Sequence, residues 1–378
     1  MTWKARYERL RAPVPSTTEM PTYLNQSDEP LNEDRVGVLL VNLGTPDALT
    51  VSAVRRFLAE FLWDPRVIEA PRWLWWLALH GFILRVRPSR SLHAYRQIWT
   101  DAGSPLLVHS EALTRGVAAL LRERLPGSVA LGMTYGSPSI AQALATLRRE
   151  GMRRLIVLPL FPQYSGTTTA SVFDRVTGEL QRWRRIPELR FISGYHDEPA
   201  YIEAVAESVR RHHRRTEPSA HLLFSFHGIP QRYVRAGDPY FEHCKRSARL
   251  IAGKLGLAED AWTMSFQSQV GREEWLRPYT NEWLADAPRK GIKHVTVACP
   301  GFATDCLETL EEIAIRNRAT FLENGGESYE YVPALNEAEE HAQLLADLVL
   351  RHARQASSAV EPADAASEPR AAGHTARN

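Results

Sequence analysis

Residues 36–41, VGVLLV, form an unbroken apolar run that ends in Asn42-Leu43-Gly44-Thr45-Pro46-Asp47. An apolar run without alternation reads as a strand covered on both faces, and the Gly- and Pro-bearing stretch after it as a turn at its carboxyl end. A helical pattern follows from Thr50 to Phe61. The unit then recurs. Residues 155–162, LIVLPLFP, read as a strand and turn, with a helix from Thr167 onward. The run 222–226, LLFSF, leads into His227-Gly228-Ile229-Pro230, and 294–298, HVTVA, leads into Cys299-Pro300-Gly301-Phe302 with a helix from Asp305. Shorter strand candidates are 130–135, 190–194, 263–267 and 329–332, and helical patterns cover 107–124, 139–150, 199–215, 239–255, 272–288 and 336–352.

Strands alternating with helices of this size predict an α/β fold with parallel sheets. Eight strands are many for one doubly wound sheet, so two sheets of mainly four strands are expected, with the boundary near Gly194 to Pro199. A (β/α)8 barrel is the rival topology, and the uneven strand spacing disfavours it. The expected organisation is an extension over 1–34, a first domain over 35–195, a second over 196–335, and a helix over 336–352 returning to the first domain. The stretch 353–378, rich in Ala, Ser, Glu, Pro, Gly and Arg with no aromatic residue, reads as a disordered tail.

Composition narrows the class. The 378 residues are 44% hydrophobic, enough for a real core. Lys plus Arg is 46 against 44 Asp plus Glu, a net +2, so nothing suggests the concentrated basic face that nucleic acid requires. Cys244, Cys299 and Cys306 make no disulfide framework and suit a reducing compartment. With no CxxC, a structural zinc site is not expected, and three thiols cannot supply an all-Cys iron–sulfur cluster. No apolar core of a secretory signal occurs in the first 34 residues, which points to the cytoplasm.

One oddity remains. Ten Trp are present, and three of them sit in WLWW at 73–76. The apolar run they open continues through Phe82-Ile83-Leu84, then Arg85, Arg87 and Arg90 follow. The run falls well short of the roughly twenty residues that span a bilayer. It reads as a buried helix, a pocket wall or an interfacial segment beside basic residues.

Ligands of open α/β sheets bind outside the carboxyl ends of the strands. Three turns there carry chemistry: Gln163 to Thr169, His227 to Pro230, and Asp305 to Glu312. No GxGxxG, GxxxxGK[ST] or GxSxG motif is present. His227 follows its strand directly and can accept a proton near neutral pH, or merely bind a loop. Asp305, Glu308 and Glu312 are spaced three and four apart, which places all three on one face if the segment is helical. Such a face is either a solvated acidic stripe, which Glu311 favours, or a track for a divalent cation or protons. A His, several carboxylates and a broad aromatic wall suggest a large, flat, apolar substrate and a cation.

The motifs SFHGIP with His227, PQYSGTTT at 162–169, VLLVNLGTP at 38–46, GSPL at 103–106 and CPGFATDCLETLEEI at 299–313 resemble the protoporphyrin ferrochelatases of haem synthesis, in the form found in Gram-negative bacteria. The resemblance runs from about Val36 to about His352 and keeps the family's motif order. It implies two Rossmann-like, chelatase-like domains with a porphyrin cleft between them. It implies insertion of Fe2+ into protoporphyrin IX with release of two protons, so iron is a substrate and no tightly bound cofactor is expected. His227 and Glu308 match the catalytic pair on opposite faces of the porphyrin. His227, Glu308 and Glu312, with Asp305 as a weaker member, match the positions that handle metal. Leu43, Tyr135 and Tyr164, together with Trp75, Trp76, Arg87 and Arg90 of an apolar lip at 73–90, match porphyrin-binding positions. Cys306 stands where animal and Gram-positive members have His. A [2Fe-2S] cluster, which some members hold through four Cys, is not expected here. Peripheral contact with the inner membrane and transient contact with the preceding haem-pathway enzyme are further implications. The rivals are a sister chelatase using coproporphyrin III or cobalt, a non-catalytic tetrapyrrole or haem carrier, and a periplasmic solute-binding protein, which the missing signal disfavours. Which porphyrin face receives iron stays open.

Overall fold

The structure, a computed structural model, describes residues 23–24, 35–213 and 220–357. Eight strands form two parallel sheets. The first contains β1 (Val36–Thr45), β2 (Gly127–Gly136), β3 (Arg154–Pro159) and β4 (Glu188–Phe191) in the order β2-β1-β3-β4. The second contains β5 (His221–His227), β6 (Trp262–Gln267), β7 (His294–Ala298) and β8 (Ser328–Val332) in the order β6-β5-β7-β8. The helices are α1 (Val51–Trp63), α2 (Arg72–Ala78), α3 (Leu84–Ile98), α4 (Pro105–Leu121), α5 (Ile140–Arg149), α6 (Thr169–Leu180), α7 (Pro199–His213), α8 (Gln231–Arg235), α9 (Tyr240–Leu255), α10 (Thr280–Asp286), α11 (Arg318–Glu323) and α12 (Glu339–Ser357). Two segments, Leu79–Ile83 and Glu308–Asn317, are π-helical.

β1 shows why the strands read as unbroken apolar runs. Val36, Val38 and Leu40 enter one core with Leu113 and Val117 of α4. Leu39 and Val41 enter the opposite core with Leu144 of α5 and Val176 of α6. The second sheet repeats this: Leu222, Phe224 and Phe226 face one side, and Leu223 faces the other with Val295, Val297, Ile313 and Phe321. The first of these cores is continuous across both sheets, because α7, α9 and α12 contribute to it along with β1, β3 and β5. Burial of this apolar surface is what holds the two halves together.

Each sheet carries the same doubly wound order, in which the chain leaves the central strand to one side and then crosses to the other. The switch point therefore lies between β1 and β3 in the first sheet and between β5 and β7 in the second. All the sequence motifs singled out at carboxyl ends of strands sit at these two points.

Several boundaries differ from the pattern-based expectation. β1 runs on to Thr45, pairing with β2 as far as Gly136. Gly44 permits this: its φ is +113°, and a Cβ there would lie 1.8 Å from the Tyr135 carbonyl oxygen. The helix expected over 272–288 begins only at Thr280 and continues as a 3-10 turn over Ala287–Lys290. Pro278 explains the delay, since it has no N–H and disfavours helical geometry in the residue before it. α12 starts at Glu339 and reaches Ser357, so its last turn occupies the first residues of the expected tail. The remainder of that tail lies outside the described residues. So does the 1–34 extension apart from Tyr23 and Leu24, where Leu24 N–H donates to the Arg182 carbonyl.

The apolar run at 73–84 is not a buried helix. α2 has no buried residue. Trp73 and Phe82 are each 68% exposed, and Leu74, Trp76, Leu77 and Val86 are also exposed.

Candidate active site

The carboxyl edges of the two sheets meet. At the end of β1, the buried Asn42 donates from Nδ2 to Ser110 Oγ on α4 (2.9 Å) and to Thr304 Oγ1 in the loop after β7 (3.0 Å). The loop after β3 is held in the same way. Gln163 Nε2 donates to Ser247 Oγ on α9 (2.9 Å), Tyr164 N–H to His243 Nδ1 (3.2 Å), and Ser165 Oγ and Gly166 N–H to Asp238 (2.9 and 2.7 Å). Apart from the Asn42–Ser110 bond, these cross from the first half of the chain to the second and tie the two carboxyl edges together.

His227 is the last residue of β5 and half-buried. Its Nδ1 lies 2.7 Å from the Gly228 carbonyl oxygen. A carbonyl only accepts, so Nδ1 carries a proton, and Nε2 is the nitrogen that can carry a lone pair. Trp275 and Phe302 flank the imidazole, with ring centroids 6.4 and 6.5 Å away. Pattern reasoning placed Trp275 in a helix, and the Pro278 stop instead leaves it in the loop beside His227. Gly228 is needed for this approach: a Cβ there would lie 2.9 Å from the Gln267 carbonyl oxygen and 3.1 Å from Trp275.

The acidic segment is arranged differently from a three-carboxylate face. Helical geometry starts at Leu307, so Asp305 lies ahead of it. Asp305 is buried and already committed: Tyr331 Oη and Thr309 Oγ1 donate to Oδ1, and Asn336 Nδ2 donates to Oδ2 (2.8 Å). Glu312 accepts from Ser268 N–H (2.8 Å) and Ser268 Oγ. Glu311 pairs with Arg316. Among the described residues, no three His, Cys, Asp or Glu side chains converge closely enough to hold a metal. The expected metal set is therefore no preformed cage: Asp305 is enclosed by protein donors, whereas each Glu312 oxygen accepts one hydrogen bond and keeps further acceptor capacity.

Glu308 faces the first half of the molecule. Leu307 and Leu310 pack against the core that holds Leu84, Leu92 and Tyr95, which brings the π-helix against α3. Burial pulls the Arg87 guanidinium below its usual range, and the nearby Glu308 charge acts in the opposite sense. Burial also pushes the Cys306 thiol up, with Glu308 adding to the effect. Cys306 is thus a neutral S–H group beside Glu308, unlike the ionisable ring of a His. Among the described residues Arg87 and Arg90 form no salt bridge; Arg90 is exposed and Arg87 half-buried.

The remaining wall positions divide. Leu43 is half-buried at the end of β1, and Tyr164 is half-buried in the loop after β3. Tyr135 is not on the wall. It is fully buried, donates to Asp64 Oδ2 (3.0 Å) and packs edge-on against Phe61. Strand alternation turns it inward under α1. Trp75 also turns inward, donating from Nε1 to the Leu62 carbonyl (2.7 Å), whereas Trp76 is 51% exposed. Gln267 and Ser268, at the end of β6, were invisible to motif reading. Ser268 has φ +66°, uncommon for a residue with a Cβ.

Comparison with known proteins adds two findings. At the level of fold, solved structures of the sirohydrochlorin chelatase SirB are similar: the protein from Bacillus subtilis with Fe3+ has a TM-score of 0.52 at 11% identity, covering 86% of this chain and 98% of its own. The protein from the subspecies spizizenii, in complex with cobalt, has a TM-score of 0.50 at 11% identity with the same coverage. At the level of sequence, the ferrochelatase of Nitrosococcus oceani is 54% identical over 319 residues, 84% of this chain and 87% of its own length. Ferrochelatase 1 of Shewanella oneidensis is 52% identical, covering 83% of this chain and 94% of its own. The ferrochelatase family model matches residues 35–353. With half-identical relatives matched over nearly their whole length and a doubly repeated chelatase-type sheet, the chain belongs to the ferrochelatase family.

Proposed function

We propose that this chain inserts Fe2+ into protoporphyrin IX at the junction of its two sheets, with His227 and Glu308 as the working pair. The balance is simple: one ferrous ion enters, four nitrogen–iron bonds form, and two pyrrole N–H protons leave. The observation that carries the assignment is the His227 ring, whose Nδ1 is committed to the Gly228 carbonyl, so that Nε2 is the nitrogen left to accept a proton. A neutral imidazole takes a pyrrole proton at physiological pH without the cost of first losing one. Glu308, on the π-helix after β7, supplies the negative charge that an incoming dication or departing protons require.

Trp275 and Phe302 beside His227 offer the flat apolar surface a macrocycle needs. Arg87, partly desolvated, and Arg90, exposed, suit two propionates, because a guanidinium matches a carboxylate bidentately. Trp76 with Trp73, Leu77 and Phe82 forms an exposed apolar lip, suited to guiding the porphyrin and to peripheral contact with the inner membrane from the cytoplasm. Among the described residues no helix is long and apolar enough to cross a membrane. Anaerobic incubation with Fe2+ and protoporphyrin IX, with coproporphyrin III in parallel, tests the reading through haem absorbance. Faster metallation of coproporphyrin III, or none of either, overturns the substrate assignment.

A further inference from the structure

We propose that the dipeptide Gln267-Ser268 is a positioning element that holds the proposed acidic side of the site in register with His227. The inference rests on the assignment of His227, Glu308 and Glu312 given above. It goes beyond that assignment, because neither residue of the pair is one of those expected to touch substrate.

Three sets of bonds converge on these two residues. The Gln267 carbonyl accepts from Gly228 N–H (2.8 Å), the residue whose own carbonyl fixes the His227 ring. The Gln267 side chain, buried, donates from Nε2 to the Glu308 carbonyl (2.9 Å). Ser268 donates from both N–H and Oγ to the two oxygens of Glu312. One end of β6 is therefore bonded to the His227 turn, to the first residue of the π-helix, and to the carboxylate one turn further on.

The chemistry of the amide makes this arrangement directional. The Glu308 carbonyl only accepts, so the Gln267 atom facing it must be the NH2 group. Its Oε1 then faces the other way and accepts from Ser225 Oγ (2.7 Å), with Cys299 Sγ at 3.6 Å. Ser225 in turn shares a hydrogen bond with Thr280 Oγ1, which shares another with Ser265 (2.8 and 2.9 Å). A fully satisfied buried polar network of this kind specifies one geometry, whereas an apolar contact tolerates sliding. That matters here because the His227 turn and the π-helix both leave the carboxyl edge of the second sheet, and two groups acting on one macrocycle need a set separation. Ser268 reaches its two bonds only from the left-handed backbone region, a conformation disfavoured for a side chain with a Cβ and maintained here by the surrounding contacts.

The consequence is that Gln267 and Ser268 act through Glu308 and Glu312 and not independently. Two double-mutant cycles test this on the full chain: Ser268→Ala with Glu312→Gln, and Gln267→Met with Glu308→Gln. The readouts are kcat and KM for Fe2+ in anaerobic insertion, and the dissociation constant for protoporphyrin IX from fluorescence quenching. Each positioning variant is expected to lower kcat/KM for Fe2+ by about tenfold, the size typical of supporting shells, while porphyrin affinity stays within about twofold. Each double variant is expected to lose no more than the carboxylate variant alone. Losses that multiply, or a porphyrin affinity that falls in step with turnover, overturn the proposal. If Glu308→Gln and Glu312→Gln both insert iron at the parent rate, the site assignment fails, and the positioning role with it. If they are impaired and the losses multiply, only the positioning role fails. The half-buried Ser268 pair decides the matter if Gln267→Met does not fold.

Discussion

The two sheets have the same strand order and the same parallel pairing, yet their carboxyl edges are built from opposite materials. The edge of the first sheet is continued by α2, the π-helical turn and α3, which leave Trp73, Leu74, Trp76, Leu77 and Phe82 to solvent. The edge of the second sheet is a buried polar lattice: Ser225, Gln267, Thr280, the Glu308 carbonyl and Ser268 with Glu312. A repeated topology places loops at equivalent points but leaves their chemistry free. In this molecule the first copy carries the exposed apolar lip with Arg87 and Arg90, and the second carries the proposed base and carboxylates with Trp275 and Phe302 beside them. A large apolar ligand gains affinity mainly from area, while a reacting group gains rate from fixed geometry, so the exposed lip and the bonded polar lattice suit different tasks.

Perturbing the two edges should therefore separate binding from turnover. The largest effect is expected at His227. His227→Ala should cut iron insertion by about 100-fold or more, the usual loss of a general base, with porphyrin affinity changed only a few-fold. Insertion at the parent rate in an anaerobic absorbance assay would break the assignment of the second edge. Glu308→Gln keeps the side chain's shape and removes its charge. A loss of about 30- to 100-fold in kcat is expected, with porphyrin KM little moved.

Smaller effects belong to the first edge. Arg87→Ala should raise the porphyrin KM by about tenfold and leave kcat within a few-fold, which is the signature of lost ground-state binding. The same variant should distinguish protoporphyrin IX from its dimethyl ester less strongly than the parent does, with Arg90 still present. Equal sensitivity to the ester in parent and variant would place the propionates elsewhere. The smallest effects on turnover are expected in the lip, where neighbouring tryptophans should part company. Trp75→Ala loses an indole bond and half-buried packing, so it should lower the thermal midpoint, by about 1–3 kcal/mol of stability. Trp73→Ala with Trp76→Ala should leave that midpoint unchanged within about 0.5 kcal/mol and weaken porphyrin or vesicle binding a few-fold. Equal destabilisation by both would make the whole run structural.

Much of the architecture was legible from one periodicity. Each of the eight strands overlaps a stretch predicted from the pattern, although β4 shares only Arg190 and Phe191 with the expected 190–194, and the central strands are mostly apolar because both faces are covered, with Ser225 and Thr296 as buried polar exceptions. The place of His227 was legible for a related reason, since it directly follows such a run and so ends a strand. Asp305 was misread because three- and four-residue spacing presumes a helix already begun, and the buried donors Tyr331, Thr309 and Asn336 hold it ahead of the first helical residue. Trp75 and Trp76 looked equivalent in sequence, and only the docking of α2 on the Leu62 carbonyl separated them. Tyr135 matched a pocket position by motif but lies beneath the wall, bonded to Asp64.

By itself the sequence determined the strands, the two-sheet plan and the family, because these rest on local apolar periodicity and on motifs that each lie within one loop. The tertiary structure alone decided which polar groups are spent on the protein and which are left for chemistry. Gln267 and Ser268 lie some 40 residues from the two acidic residues they hold, and no pattern along the chain reports that approach. Hydrogen bonds between distant loops are set by how two sheets dock, and docking is a property of the whole core.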